Sequence, residues 1–171
     1  MVTRAPHPEG GERVQAARAA CARVIDPEVP VLTIEDLGIL NEVDIDSEGH
    51  VTVSILPTYS GCPAMGLIAL EIETELAKAG FGDVSVNLTH APAWTTDRMS
   101  EGAREKLRAY GISPPERAAG KRALFEPPAD VLCPRCRSGD TERVSEFGST
   151  ACKALWRCRA CREPFEHFKC T

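Results

Sequence analysis

Cys133-Pro-Arg-Cys136 is followed, after 21 intervening residues, by Cys158-Arg-Ala-Cys161, and these two Cys-x-x-Cys knuckles decide how the carboxy-terminal stretch must fold. Each knuckle turns its backbone tightly enough to aim two thiolates at one ion, and the span between them is long enough for a β-hairpin. Cys133, Cys136, Cys158 and Cys161 are therefore the expected ligands of one tetrahedral Zn²⁺ in a β zinc ribbon. So short a module buries too little apolar surface to offset its ordering entropy, so metal binding must supply on the order of 10 kcal/mol of its folding free energy. Four sulfur ligands leave no open position for water or substrate, so the zinc is expected to be structural. Iron or an Fe–S cluster also accepts four thiolates, and the sequence leaves that choice open.

Outward from the ribbon, the 171 residues, 43% of them apolar, suffice for one further modest domain. Residues 1–129 carry 12 basic and 19 acidic side chains, and residues 130–171 carry 8 and 6, for formal balances of −7 and +2. The ribbon's small positive excess is too weak to imply nucleic acid by charge alone. There is no signal-peptide pattern and no apolar run long enough for a membrane helix, so reduced cysteines and a cytoplasmic location are expected. The stretch from Gly111-Ile-Ser-Pro-Pro to Glu126-Pro-Pro-Ala carries four prolines and reads as a semi-rigid connector. The expected organisation is a disordered tail over 1–9, an α+β domain over 10–112, a Pro-rich linker over 113–129 and the zinc ribbon over 130–171.

Within the first domain the patterning predicts α-β-β-α-β-α. Good helix formers run from Glu12 to Val24 and stop before Asp26-Pro27. Ile39–Asp46 and His50–Leu56 read as strands joined by Ser47-Glu-Gly49, and Val51, Val53 and Ile55 mark one buried face of the second. Met65, Ile68, Ile72, Leu76 and Ala79 recur at helical spacing from Pro63 until Gly80 ends the run. Val84, Val86 and Leu88 mark a third strand, and Ser100–Tyr110 a last helix. The fold class expected is a small mixed sheet with helices on one face, its second strand, second helix and third strand forming a crossover.

Cys62 is the candidate functional thiol. It lies in Thr58-Tyr-Ser-Gly-Cys-Pro63 between a strand end and a helix start, where backbone N–H groups and the helix dipole can favour thiolate. It can serve as a ligand for a transient Fe–S cluster or iron, or as a redox group, and a small packed residue is the plain alternative. His90, just after the third strand, would make a Cys-His hydrolase only if it met Cys62, and a loop-capping role is favoured. Asp26-Pro-Glu-Val-Pro30 is read as a solvated, proline-stiffened turn, with Asp26 or Glu28 near the same rim as the less favoured option. Cys21 reads as packing. If the ribbon strands fold back symmetrically about the second knuckle, Cys152 faces His167 and Cys170 faces Ser149; a second labile metal site at Cys152, His167 and Cys170 is the minority reading. Trp156 and Phe165 are expected to fill the ribbon core, Phe147 and Phe168 to form an exposed docking patch, and Arg157, Arg159 and Arg162 to be available for recognition.

Asp26-Pro-Glu-Val-Pro30, Asp36-Leu-Gly-Ile39 and Ser60-Gly-Cys-Pro63 resemble the domain shared by SufT and related Fe–S assembly factors. Ser145-Glu-Phe-Gly-Ser-Thr-Ala-Cys-Lys-Ala154, Cys161-Arg-Glu-Pro-Phe165 and Phe168-Lys-Cys170 resemble the PaaD family of the bacterial 1,2-phenylacetyl-CoA epoxidase system. That resemblance implies an accessory or maturation factor of aerobic phenylacetate breakdown, working beside a di-iron oxygenase and its Fe–S/flavin reductase. Cys62 would then hand over or position a cluster or iron, with the ribbon recognising the client. The chain carries no Glu-x-x-His pair on helices, dinucleotide fingerprint or plant-type ferredoxin spacing, so catalysis of its own is not expected. A zinc-ribbon nucleic-acid-binding regulator and a thiol-dependent redox enzyme using Cys62 are the alternatives.

Overall fold

The computed structural model describes residues 8–115 and 131–169, which divide into two compact units at Ala93/Trp94. In the first unit, helix α1 (Pro8–Cys21) begins earlier than the Glu12 expected, because proline suits the first helical position. It stops at Cys21, where Arg23 N–H bonds Ala20 O and Val24 N–H bonds Cys21 O, tightening the last turn. The chain then runs through an irregular segment that buries Val29, Leu32, Ile34 and Leu37, fastened by a bridge between Ile25 and Thr33.

Strands β1 (Leu40–Ile45) and β2 (Val51–Ile55) form an antiparallel hairpin. Its turn is held by Asp46, whose Oδ1 accepts the N–H groups of Glu48 at 2.9 Å and His50 at 3.0 Å, and Gly49 supplies the left-handed backbone at φ 92°. Helix α2 (Ala64–Lys78) buries Met65, Ile68, Ile72 and Leu76, one stripe of its surface, as the spacing predicts. Gly80 at φ 91° turns the chain, with Phe81 N–H bonding Leu76 O. Strand β3 (Val84–Leu88) then pairs in parallel with β2, Val51 opposite Val84 and Ile55 opposite Leu88, giving the order β1-β2-β3. This parallel pairing puts the end of β2, the start of α2 and the end of β3 at one edge of the unit, which is where Cys62 lies.

In the second unit a 3₁₀ turn (Thr96–Arg98) leads into helix α3 (Glu101–Tyr110). Ser100 caps α3 by accepting the Ala103 N–H at 3.0 Å, and Gly111 at φ 91° ends it. Strand β4 (Ile112–Ser113) follows, and then β5 (Thr141–Ser145), β6 (Lys153–Cys158) and β7 (Pro164–Phe168) complete a sheet ordered β4-β7-β6-β5. Sequence patterning assigns α3 to the first domain; contacts instead group everything from Trp94 onward with the ribbon. The reason is specific: β4 pairs with β7 in parallel, and the Trp94 and Phe168 rings lie 6.2 Å apart. Most of the expected tail and linker, together with Cys170, lies outside the described residues.

Arg104, only 3% exposed, bonds the carbonyls of Thr96, at 2.7 Å, and Pro115. It thus ties the start of this helical excursion to its end.

Candidate functional site

The ribbon register sets the metal geometry. Cys158 N–H bonds Glu163 O at 2.9 Å, so the second knuckle loop contains residues 159–162, with Arg162 at φ 65° closing it. This moves the β6/β7 register two residues from the symmetric expectation. Ala154, not Cys152, stands opposite His167, and the Cys152 carbonyl accepts the Lys169 N–H at 3.0 Å. The first knuckle closes similarly, with Arg137 N–H bonding Cys133 O and Arg137 at φ 65°.

The sulfurs of Cys133, Cys136, Cys158 and Cys161 all lie within 4.8 Å of one another. Cys133 and Cys161 are 3.7 Å apart, and Cys136 and Cys158 3.5 Å. Zn–S bonds of about 2.3 Å in a tetrahedron place sulfurs about 3.8 Å apart, so the set fits one ion. A cluster distributes its cysteines over several irons and would spread the sulfurs further. Cys133 and Cys158 are buried, Cys161 is half-buried and Cys136 is exposed. The Cys161 backbone N–H draws the Cys158 thiol down to about 7. At Cys161 the Glu163 N–H also pulls downward, but desolvation and the other three sulfurs overrule it and push the thiol up to about 12. Such crowding is relieved by a dication at the centre. Phe165 packs against Cys133 and Cys158, with Val131 and Trp156 alongside, so the ribbon core expected of Trp156 and Phe165 is present.

Around the ribbon two expectations fail. Phe168 is 1% exposed, under Trp94, so it cannot join Phe147 in an exposed patch; Phe147 is 62% exposed, with Lys169 Nζ 4.3 Å above its ring. Arg157 and Arg159 both bond Glu142, so two of the three arginines of the basic stripe are paired within the ribbon, while Arg162 is exposed. Sequence patterning gives no sign of Glu142, whose pairing with Arg157 follows from the register with β6, nor of the pair of buried Lys153 with half-buried Glu166 at 3.3 Å.

In the first unit Cys62 sits just before α2 and is 9% exposed. Burial pushes its thiol above the ordinary value; the Ala64 N–H opposes this, Glu28 reinforces it, and Tyr59 and Asp26 act in the same opposed senses. The thiolate expected from the helix start is therefore corrected: desolvation and two carboxylates outweigh the backbone N–H. Asp26 is not solvated either. It is 5% exposed, and its Oδ1 accepts the N–H groups of Glu28 and Val29, each at 2.8 Å. Glu28 and Asp26 thus stand near enough to Cys62 to act on its thiol, the less favoured of the two readings, with the proline turn as the signal. His90 is exposed.

Comparison with known proteins matches residues 14–88 to a model described as iron-sulfur cluster assembly protein, and residues 117–169 to one described as PaaD zinc beta ribbon domain. A relative from Escherichia coli (strain K12), named as the putative D component of 1,2-phenylacetyl-CoA epoxidase, is 52% identical over 89% of this chain and 90% of its own length. The chain belongs to the PaaD family. This PaaD-family chain is also similar to the Fe-S protein maturation auxiliary factor SufT of Staphylococcus aureus, 39% identical over 49% of this chain and 96% of that one. A solved structure from Bacillus anthracis described as domain of unknown function DUF59 shares 27% identity with a TM-score of 0.55, covering 58% of this chain and 94% of that chain.

PaaD membership and the sulfur geometry together make the ribbon cofactor a structural Zn²⁺. Bound there, zinc would fasten the two knuckles and leave no position for substrate. Among the described residues no helix is long and apolar enough to cross a membrane.

Proposed function

We propose that this chain is an accessory maturation component of a multicomponent phenylacetyl-CoA epoxidase, assisting insertion of an Fe–S cluster or iron into the reductase or oxygenase subunits. The observation that carries the reading is one polypeptide joining an Fe–S assembly unit to a PaaD ribbon, with near full-length similarity to a protein named as an epoxidase component. In the working cycle Cys62 is the ligand offered to the cargo. Its thiol is held protonated at rest by burial, Glu28 and Asp26. Cationic iron offsets those carboxylates as it arrives, the thiol proton leaves to solvent, and the sulfur ligates. A thiol inert until metal approaches is suited to holding cargo briefly and is poorly suited to standing nucleophilic catalysis. The zinc ribbon shapes the surface that recognises the client, with the Fe–S/flavin reductase as first candidate.

The test is anaerobic co-expression of the epoxidase subunits with this chain, without it, and with Cys62→Ser. Iron and acid-labile sulfide of the purified reductase, together with epoxidation, are measured in each. Under-loaded reductase in the last two cases supports the reading; full occupancy and full epoxidation without the chain overturn it. The intra-ribbon pairing of Arg157 and Arg159 weighs against the nucleic-acid reading.

A further inference from the structure

The four ribbon cysteines are not equivalent, and their inequality has a pattern. The sulfur contacts at 3.5 Å and 3.7 Å both cross from one knuckle to the other: Cys136 meets Cys158, and Cys161 meets Cys133. Each contact joins a more exposed cysteine to a buried one, since Cys136 is exposed and Cys161 half-buried while Cys133 and Cys158 are buried. The zinc site therefore has an open side, at Cys136, backed at near contact distance by an inaccessible partner.

We propose that Cys136 is an oxidation site of the ribbon, at which a hydroperoxide converts the Cys136–Cys158 contact into a disulfide across the knuckles and expels the zinc. The Cys136 sulfur attacks the terminal peroxide oxygen; the O–O bond breaks, giving a sulfenic acid and, from hydrogen peroxide, hydroxide. The Cys158 thiolate then attacks the Cys136 sulfur, the S–O bond breaks, and a second hydroxide leaves as the S–S bond forms. Two sulfurs have together lost two electrons, the peroxide has gained them, and two protons convert the hydroxides to water. The sulfurs need only close from 3.5 Å to a bond of about 2.05 Å. Cys133 and Cys161 remain as two ligands, too few for tight zinc binding. Because the new bond joins the first knuckle to the end of β6, β5 and β6 stay within one closed loop, and reduction with added zinc restores the original site.

The experiment uses the full-length zinc-loaded chain and hydrogen peroxide. Zinc release is followed with a chromogenic chelator, and quenched samples are alkylated and digested for peptide mapping. Zinc release in step with a cross-linked peptide pair containing Cys136 and Cys158, reversed by dithiol plus zinc, is the expected result. Disulfides within a knuckle, Cys133–Cys136 or Cys158–Cys161, overturn the proposal, as does zinc retention while Cys62 or Cys152 is oxidised first. Cys136→Ser gives a second measure. If it still holds zinc, its peroxide-driven release must be slower than wild type; if it does not, the mapping of the unsubstituted chain decides alone.

Discussion

His167 donates from Nδ1 to the Ser113 carbonyl at 3.2 Å, and Ser113 stands opposite it in the parallel pairing of β4 with β7. Burial holds the His167 imidazole below its ordinary pKa, which suits a neutral ring donating to a carbonyl. The ribbon sheet thus begins with residues that precede its first cysteine by about twenty positions. A fragment of residues 94–171 should keep one tightly held zinc and a cooperative melt. One beginning at residue 114 lacks β4 and the ring over Phe168 and should melt markedly lower, measured by circular dichroism with zinc present in both.

Removing zinc should unfold the ribbon. Metal binding supplies on the order of 10 kcal/mol in modules of this size, more than their cores provide. Chelation, or Cys133→Ser, should abolish the near-ultraviolet signal of Trp156 while the helical signal of a fragment ending at Ala93 is untouched. Retention of the Trp156 signal in metal-free protein would contradict this.

Asp26→Ala should destabilise the first unit by about 2–4 kcal/mol, because the N–H groups of Glu28 and Val29 lose their common acceptor in a buried segment. Urea titration of the fragment ending at Ala93 is the measurement, and Asp26→Asn, which keeps an acceptor oxygen, should recover part of the loss.

The thiols should be sluggish at neutral pH. Burial raises Cys21 from its ordinary 9.0 to about 11 and also raises Cys62. Alkylation of Cys62 should therefore climb with pH beyond 9, and Glu28→Gln should move the profile to lower pH. For stability the sign follows directly: the unfolded chain ionises Cys21 near pH 9 while the folded chain holds it neutral. The first unit should lose stability between pH 9 and 11, and Cys21→Ala should flatten that loss.

Gly148→Ala should loosen the ribbon. A Cβ there would lie 2.5 Å from Glu166 Oε1, driving that carboxylate away from the Ser149 N–H and from buried Lys153. Burial raises the Glu166 pKa, but the Ser149 and Lys153 interactions outweigh it and the net shift is downward. This contribution is present above pH 4.5 and lost as pH falls through the depressed value. The variant should cost about 1–3 kcal/mol and be less sensitive to acid, read from melts at pH 7 and pH 4.

What the sequence disclosed divides along physical lines. Period and punctuation are local, so β1, β2, α2 and β3 stand within a residue or so of where alternation, helical spacing and Gly80 set them. The four-cysteine cluster was legible because ligand spacing is also local. The two-residue register offset was not, since it depends on where the knuckle loop closes, at Glu163, and on Arg162 adopting a left-handed backbone. Nor was the pairing of β4 with β7, which joins positions more than fifty apart without any compositional mark. The Cys62 environment was misjudged because the helix-start effect is visible in sequence, whereas the desolvation and carboxylates that overrule it arrive through the packed Asp26–Leu37 segment.

Arg104 holds its position through two backbone carbonyls on either side of α3, so the helical excursion behaves as a stitched loop with one thread. A planar guanidinium reaches both carbonyls at once, and a lysine amine, a single point donor, cannot span them in the same way. Pro115 and Thr96 are therefore held to one another through this side chain as well as through the helix backbone between them.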